Sequence, residues 1–244
     1  MIKLIVSDFD GTLMPYGRER ISDGVRDGLK RAMECGMTVA VSSGRTYGEL
    51  ASYLKEFEEK IYFICCDGAY YVKDGRMLYG KQIQFAELTK LEREMGAEES
   101  MLLHGAFRNY LMGAPRGDVA RFEAIPVKRM WDVKEPIYKV TAYGAKKTLL
   151  PYSGLRMHWE GSGDGCSQIV NRYCDKGAAL SDLQMRLMLT KFDTACMGDS
   201  GNDVAMMHNA KQAICIGDRC ADLKSACNAH FSTAEEALEM LLQS

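Results

Sequence analysis

Polar side chains that could act on a phosphate group follow three apolar segments of the sequence. Residues 8–12 (DFDGT) come after the first segment, residues 42–45 (SSGR) after the second, and residues 198–203 (GDSGND) after a later one. Four carboxylates brought to one place would repel one another unless a cation lay among them. Hard oxygen ligands in this number favour Mg²⁺, which usually works together with phosphate. With Lys176 added, these residue types are typical of a site for phosphoryl transfer.

The apolar segments themselves are predicted to be strands of one parallel sheet. Residues 2–7 form a short, nearly continuous run of strand-forming side chains, as expected for a strand that is buried on both faces. Helix signals alternate with such runs, and Ser22, Thr46, Asp175 and Thr233 can each cap the start of a helix. This alternation predicts an α/β fold with a doubly wound, parallel, Rossmann-like sheet, in which ligands bind at the carboxyl ends of the strands. The further predicted core strands are 38–42, 61–66, 194–197 and 213–216.

From about residue 81 the pattern changes, and an inserted α+β cap domain is predicted. Asp74-Gly75, just before the change, is the strongest hairpin signal in the chain, and a polar helix is predicted over 85–95. Short strands are predicted near 100–111, 124–128, 137–142 and 155–160, followed by a glycine-rich loop at 161–165. The predicted domains are the first part of the core at 1–80, the cap at 81–170 and the second part of the core at 171–244.

The composition excludes several classes of protein. Among 244 residues, 31 are Lys or Arg and 33 are Asp or Glu, which gives a net charge of −2. The sequence therefore lacks the excess of basic residues that is typical of proteins that bind nucleic acid or an anionic membrane. No apolar run approaches the roughly 20 residues that span a bilayer. The nine cysteines are scattered without a Cys-x-x-Cys pair, which favours reduced, mostly buried thiols in a cytoplasmic protein over a zinc site or a disulfide framework.

Four short motifs resemble, in order, those of the haloacid dehalogenase-like superfamily. They are DFDGTL at 8–13, Ser43, Lys176-Gly177 and GDSGND at 198–203. A lone D-x-D would be a weak signal, whereas four motifs in order at predicted strand ends are a strong one. The resemblance covers the core, and it implies a Rossmann-like fold with Mg²⁺ as cofactor.

The insertion between the second and third motifs resembles that of the Cof-type sugar-phosphatase branch of this superfamily. The sequences SGR at 43–45 and DGA at 67–69 are also similar to Cof-type motifs. The chain departs from the usual Cof-type pattern at Asp67, where asparagine is common, at Gln168, where glutamate is frequent, and at Asp175, where serine is frequent. None of these departures falls on a residue of the expected catalytic set.

The resemblance implies a role for each motif residue. Asp8 is the expected nucleophile, which attacks phosphorus to form an aspartyl-phosphate, and Asp10 is the expected acid and base. Because residues i and i+2 of an extended segment point the same way, both carboxylates can face one phosphate. The implied catalytic residues are Asp8, Asp10, Ser43 and Lys176; the implied substrate-binding residues are Gly44, Arg45 and Asn202; and the implied metal ligands are Asp8, Asp10 through its backbone carbonyl, Asp199 and Asp203.

The implied function is that of a Mg²⁺-dependent phosphatase that hydrolyses small phosphate monoesters, sugar phosphates in particular. Two alternatives stay open: a sugar phosphomutase that uses the same intermediate, and a protein that binds a phosphate ligand without catalysis. The expected partner is a small phosphate ester, with no nucleic acid and no membrane, and the sequence indicates no oligomeric state. Besides Arg45, the candidate substrate contacts are His104, Arg108 and His158.

Overall fold

The computed structural model describes residues 1–116, 123–144, 154–160 and 165–243. These residues contain fourteen strands and seven α-helices, joined by loops and short 3₁₀ turns. The strands are β1 (Leu4–Asp8), β2 (Thr38–Ser42), β3 (Tyr62–Cys65), β4 (Tyr70–Lys73), β5 (Arg76–Gly80), β6 (Ser100–His104), β7 (Asn109–Gly113), β8 (Ala124–Val127), β9 (Lys139–Tyr143), β10 (Leu155–Glu160), β11 (Cys166–Asn171), β12 (Thr194–Gly198), β13 (Gln212–Ile216) and β14 (Ala229–Phe231). The helices are α1 (Asp23–Glu34), α2 (Tyr47–Tyr53), α3 (Phe85–Glu94), α4 (Lys176–Arg186), α5 (Val204–Met207), α6 (Ala221–Ala226) and α7 (Ala234–Leu242).

The larger sheet has the order β14-β13-β12-β1-β2-β3-β4-β5. Its strands from β14 to β3 run parallel, and β4 and β5 add an antiparallel hairpin at one edge. β1 lies between β12 and β2 and is buried along its whole length, as its apolar run predicts. Helices α1 and α7 pack on one face, and α4, α5 and α6 on the other. The predicted doubly wound α/β core is therefore confirmed.

Local signals in the sequence mark where the elements of this core begin. The side chain of Ser22 accepts a hydrogen bond from the backbone N–H of Val25 at 3.1 Å, at the start of α1. Thr46 and Thr233 form the predicted capping boxes of α2 and α7. Asp74 and Gly75 both have positive φ, 52° and 67°, as the tight turn between β4 and β5 requires.

The smaller sheet, which we call the cap sheet, has the order β10-β11-β9-β6-β7-β8 and is antiparallel except for the β7–β8 pair. Helix α3 packs on one face through Leu88 and Leu91, against apolar residues such as Leu103 and Val140. Side chains alternate along a strand, so Lys139 and Thr141 of β9 belong to the opposite face. The predicted inserted α+β module is present.

Three elements differ from the sequence prediction. Strand β11 was not predicted, because Ile169 and Val170 make too short an apolar run; pairing with β9 and β10 on its two sides holds it in the sheet. The short strand β14 was not predicted either. The helix predicted from Asn202 begins instead with a 3₁₀ turn over Gly201–Asp203, and α5 follows it.

The remaining predictions about the whole chain have different outcomes. All nine cysteines are free, and five of them are buried. The domain boundaries after residues 80 and 170 stay a prediction; β5 ends at Gly80 and β11 at Asn171, next to them. The glycine-rich loop at 161–165 lies outside the described residues except for its last member. Within the described ranges, no helix combines the length and apolar character needed to cross a membrane.

Candidate active site

Asp8 and Asp10 lie at the carboxyl end of β1, in the middle of the larger sheet. Asp8 is the last residue of the strand and is buried. The chain then turns at Gly11, whose φ of 88° lies in the left-handed region. A Cβ atom at this position would lie 2.3 Å from Oδ2 of Asp199, so only glycine lets the turn come this close to the later acidic loop. The DFDGT sequence therefore brings two acidic segments together.

Lys176, the first residue of α4, lies between two of the aspartates. Its Nζ donates to Oδ1 of Asp8 at 2.5 Å and to Oδ1 of Asp203 at 2.7 Å, and its side chain is 1% exposed. Gly177 permits this position, because a Cβ atom there would lie 2.4 Å from the carbonyl oxygen of Ala205. Burial opposes the charge of the lysine, but Asp203 and Asp8 raise the pKa of Lys176 above its ordinary value. The lysine therefore stays charged inside the site.

The loop after β12 presents Asp199 and Asp203 with their side chains already oriented. Oδ2 of Asp203 accepts hydrogen bonds from the backbone N–H groups of Asp199 and Ser200, both at 3.1 Å. Asp199 accepts one hydrogen bond from the hydroxyl of Tyr16 at 3.0 Å and one from the hydroxyl of Thr12 at 3.3 Å. These contacts fix the carboxylates that face Asp8.

Asp8, Asp199 and Asp203 form a buried cluster in which one carboxylate oxygen from each residue lies within 4.8 Å of one from each of the other two. Burial raises the pKa of Asp8 well above its ordinary value; Lys176 opposes this shift, and the like charges of Asp203 and Asp199 add to it. The pKa of Asp199 is also raised, chiefly by burial. Three buried carboxylates thus share one lysine, and a divalent cation would relieve the excess negative charge. The set of hard oxygen donors fits Mg²⁺.

The loop after β2 brings Ser43, Gly44 and Arg45 to the same edge of the sheet. Ser43 is buried, and its Oγ accepts a hydrogen bond from the backbone N–H of Arg45 at 3.2 Å. The Arg45 guanidinium donates to both carboxylate oxygens of Asp10, at 2.8 and 2.7 Å, and lies 5.0 Å from the ring centroid of Tyr53. Arg45, which the sequence predicts to bind substrate, is thus placed where it orients the carboxylate of Asp10.

A cavity of about 820 Å³ opens above these residues and is lined by both sheets. All four residues predicted to be catalytic line it, as do Gly44 and Asn202 from the predicted substrate-binding set. Among the candidate cap contacts, His158 lines this cavity, whereas Arg108 lines a second cavity of about 560 Å³ beside α2. The cap residues in the wall of the larger cavity are Lys139, Arg156, Met157, His158, Gln168 and Val170.

Sequence reasoning missed several residues of the site, among them Tyr16, Asp67 and Lys139, and also Arg156 in the wall of the cavity. Tyr16 holds Asp199, as described above. Nζ of Lys139 donates to the carbonyl oxygen of Gly44 at 2.9 Å and to Oδ2 of Asp67 at 3.3 Å, and Asn202 donates to Oδ1 of Asp67 at 3.3 Å. Only Asp67 had a signal, the DGA sequence at 67–69. Lys139 lies in an ordinary strand pattern, and nothing in its local sequence indicates a site.

His104, another candidate substrate contact, is instead buried in the cap sheet. Its ring nitrogens make hydrogen bonds with Oδ1 of Asn109 at 3.0 Å and Oγ1 of Thr141 at 2.9 Å. Burial, together with the charge of Lys139, lowers the pKa of His104 to about 3. The imidazole is therefore neutral in the folded protein.

This buried imidazole is expected to make the protein less stable in acid. The folded pKa of about 3 lies below the ordinary 6.5, so the unfolded chain binds the proton first, and stability is lost as the pH falls from 6.5 towards 3. Between pH 7 and pH 4.5, the free energy of unfolding of the wild type should fall by roughly 2–3 kcal/mol more than that of His104→Gln. Urea unfolding at both pH values measures this difference. The exposed His208 provides the matched control, His208→Gln. An acid loss as large in His104→Gln as in the wild type would contradict the prediction.

Comparison with known proteins establishes the family. A family model described as haloacid dehalogenase-like hydrolase matches residues 5–112 and 119–237, which is most of the chain. The chain belongs to the haloacid dehalogenase-like hydrolases. This hydrolase is 25% identical to phosphatase YwpJ of Bacillus subtilis, with 96% of each chain covered. It is also 25% identical to the HMP-PP phosphatase of Yersinia enterocolitica, with 92% of this chain and 87% of that protein covered.

Solved structures of other haloacid dehalogenase-like hydrolases share the fold. One is the subclass IIB sugar phosphatase BT4131, with a TM-score of 0.80 and 18% sequence identity over 98% of each chain. The resemblance of this hydrolase to the Cof-type branch is confirmed, and so is the predicted enzyme class, a phosphoric monoester hydrolase. The roles of individual residues stay predictions.

Proposed function

We propose that this hydrolase is a Mg²⁺-dependent phosphatase that cleaves small phosphate monoesters through an aspartyl-phosphate on Asp8. The observation that carries the proposal is the position of Asp8. It lines the cavity, lies 2.5 Å from Nζ of Lys176 and belongs to a cluster of three buried carboxylates. A nucleophile held beside a buried cation is suited to attack an anionic phosphate ester, because the cation offsets the repulsion between carboxylate and phosphate.

The proposed reaction has two steps. In the first, an oxygen of Asp8 attacks phosphorus while the bond from phosphorus to the leaving oxygen breaks, and Asp10 gives that oxygen a proton. In the second, water attacks the phosphorus of the intermediate while Asp10 takes a proton from the water, which releases Asp8 and inorganic phosphate. Ser43 and the backbone N–H of Gly44 are proposed to hold the phosphoryl oxygens, and Lys176 to offset their charge.

The proposed Mg²⁺ site consists of Asp8, Asp199, Asp203 and the backbone carbonyl of Asp10. When bound, the cation would offset the charge of the phosphate and of the carboxylates around it. Tyr16 and Thr12 donate to Asp199 and so hold its two oxygens in place. Loss of hydrogen-bond partners of this kind typically costs about 10–100-fold in metal affinity or activity.

The cavity favours a small substrate, and sugar phosphates are the proposed class. A volume of about 820 Å³ lies within the range of ordinary small-molecule sites. Polar side chains of the cap sheet, such as His158 and Gln168, and of the turn after β12, such as Asn202, line it, and these groups suit hydroxyl groups. The similarity to proteins named as a sugar phosphatase and an HMP-PP phosphatase supports substrates of this size.

The test uses the purified protein with Mg²⁺ and a panel of small phosphate esters that includes p-nitrophenyl phosphate. We expect inorganic phosphate to be released from several esters, because a polar pocket discriminates among them by only a few kcal/mol. The proposal fails if no ester in the panel gives Mg²⁺-dependent release. Conversion of a sugar phosphate into its isomer, without release of phosphate, would show the phosphomutase instead.

Asp10→Asn is expected to separate the two steps of the reaction. The leaving group of p-nitrophenyl phosphate needs no proton, so Asp8 should still be phosphorylated slowly, whereas water can no longer be activated to hydrolyse the intermediate. Steady-state turnover should fall by about 10²–10⁴-fold, with a burst of nitrophenol no larger than one per protein molecule in rapid-mixing experiments. Asp27→Asn, at an exposed position of α1, is the control. Unchanged steady-state turnover in Asp10→Asn would remove Asp10 from the mechanism.

A further inference from the structure

Lys139, the first residue of β9, reaches from the cap sheet to the loop after β2. Its Nζ lies 2.9 Å from the carbonyl oxygen of Gly44 and 3.3 Å from Oδ2 of Asp67. Both charged side chains are largely buried, with 8% of Lys139 and 19% of Asp67 exposed. Water screens charges weakly at such a place, so this pair acts strongly on any charged group brought beside it.

Asp67 is fixed in position by its backbone and by its neighbours. Its φ of 56° and ψ of 37° are left-handed, a conformation that most non-glycine residues avoid but aspartate tolerates. Its N–H donates to the carbonyl oxygen of Ser43 at 3.0 Å, and its Oδ1 accepts from Asn202. Burial would raise the pKa of Asp67, but Lys139, Lys176 and Arg156 lower it below its ordinary value. The carboxylate is therefore a fixed negative charge that orients Lys139.

The leaving group of the proposed reaction extends towards the cap sheet. In an in-line displacement the attacking and leaving oxygens lie on opposite sides of phosphorus. The attacking oxygen belongs to Asp8 of the larger sheet, so the leaving oxygen faces the part of the cavity that the cap strands line. Among the described residues lining that part, the charged side chains are Lys139 of β9 and Arg156 of β10, with Asp67 opposite them.

Among the described residues on the leaving-group side of the cavity, the formal charges of Lys139, Arg156 and Asp67 add up to one positive charge. Asp10, which also lines the cavity, is already paired with Arg45. Lys139 is paired with Asp67, so the remaining positive charge belongs to Arg156, which is exposed, and one anionic group on the leaving group would balance it. The acidic cluster around Asp8 lies on the other side of the phosphorus and does not compete for this contact.

We propose, building on the phosphatase function above, that Lys139 is a specificity-determining residue that binds an anionic group on the leaving group of the substrate. Arg156 shares this anion, and Asp67 holds the Lys139 ammonium in position for it. The favoured substrates are therefore small phosphate esters with a second negative group, either a carboxylate, as in a phosphorylated sugar acid or hydroxy acid, or a second phosphate.

The experiment measures binding without turnover, in an Asp8→Asn background. Two pairs of ligands are compared by calorimetry: glycerol phosphate with 3-phosphoglycerate, which differ by a carboxylate, and a hexose monophosphate with the corresponding bisphosphate. The quantity of interest is the ratio of the two Kd values within each pair. Hydrolysis by the unmodified protein tests the phosphatase function separately, so a failure of that function and a failure of this inference are distinguishable.

We expect the anionic member of at least one pair to bind about tenfold more tightly than the other member. The pair that shows this preference identifies whether Lys139 binds a carboxylate or a second phosphate. Lys139→Gln should abolish this preference, and Lys139→Arg should retain it because the charge is kept. Asp67→Asn should increase the preference several-fold, since it removes the negative charge opposite Lys139. Lys90→Gln, at a cap lysine that is 52% exposed, is the matched control and should leave the ratio unchanged.

Two results would overturn the inference. One is the absence of any preference for the anionic members in the parent protein. The other is a loss of affinity in Lys139→Gln that is equal for both members of each pair, because that result would show that Lys139 only ties the cap sheet to the core. The opposite signs expected for Lys139→Gln and Asp67→Asn distinguish a charge effect from a general disturbance of the fold.

Discussion

Asp8→Asn is expected to lower turnover of p-nitrophenyl phosphate by on the order of 10⁴-fold or more, the scale seen when a covalent nucleophile is removed. No phosphorylated protein should form, because an amide oxygen does not replace the carboxylate as a nucleophile. The measurement is steady-state kinetics together with mass spectrometry of acid-quenched protein. Turnover at the wild-type rate in Asp8→Asn would refute the mechanism proposed here.

The same variant is expected to be at least as stable as the wild type when no divalent cation is added. Burial and the charges of Asp203 and Asp199 hold the pKa of Asp8 well above its ordinary 3.8, so the folded protein binds this proton more tightly than the unfolded chain. Stability is therefore lost as the pH rises from 3.8 towards the folded pKa, and asparagine avoids that loss. Thermal unfolding at neutral pH with excess chelator measures the difference in Tm between Asp8→Asn and the wild type, and Asp27→Asn is the control. A lower Tm for Asp8→Asn would contradict this account of the charges.

Asp199→Ala is expected to raise the Mg²⁺ concentration needed for half-maximal activity by tenfold or more. Asp199 supplies one of three carboxylates that surround the proposed site, and without it Tyr16 and Thr12 lose the group that they orient. A cation that binds only the folded protein stabilises it by about 2.7 kcal/mol at one hundred times its Kd. The Mg²⁺-dependent rise in Tm should therefore shrink in the variant, which gives a readout independent of activity.

Controls for the metal prediction come from another ion and from an exposed aspartate. Ca²⁺ should inhibit, because its larger and looser coordination shell would misplace the reacting groups. Asp222→Ala, at an exposed position of α6, should keep the Mg²⁺ dependence of the wild type. Robust activity in excess chelator would show that the reaction needs no divalent cation.

The convergence of the acidic residues was predictable from the sequence. Asp8 and Asp199 each follow or end a buried parallel strand, and the carboxyl ends of parallel strands meet at one edge of the sheet. Lys176 begins a helix whose cap, Asp175, is visible in the sequence, so its place at that edge follows as well. Short-range rules of strand burial, capping and turn geometry therefore determine this part of the site.

Strand β11 shows where such rules stop. Its apolar run is two residues long, and the strand exists because β9 and β10 satisfy its backbone hydrogen bonds on both sides. Arg45 is a second case: its predicted contact with substrate stays a prediction, whereas its contact with both carboxylate oxygens of Asp10 was not visible in the sequence. A long side chain can reach several partners, and the geometry of the fold decides among them.

What the sequence determined by itself is the family of the chain and the residues for which we propose the phosphate chemistry, Asp8, Asp10, Ser43 and Lys176, because those residues lie in motifs whose spacing is local. Only the tertiary structure decided what faces that chemistry from the cap. The contact between Lys139 and Asp67 joins a strand of the cap sheet to the turn after β3 in the core, 72 positions apart in the chain. Such a contact depends on how the cap sheet is seated over the core. That seating results from the packing of many side chains, and no periodicity or short motif records it.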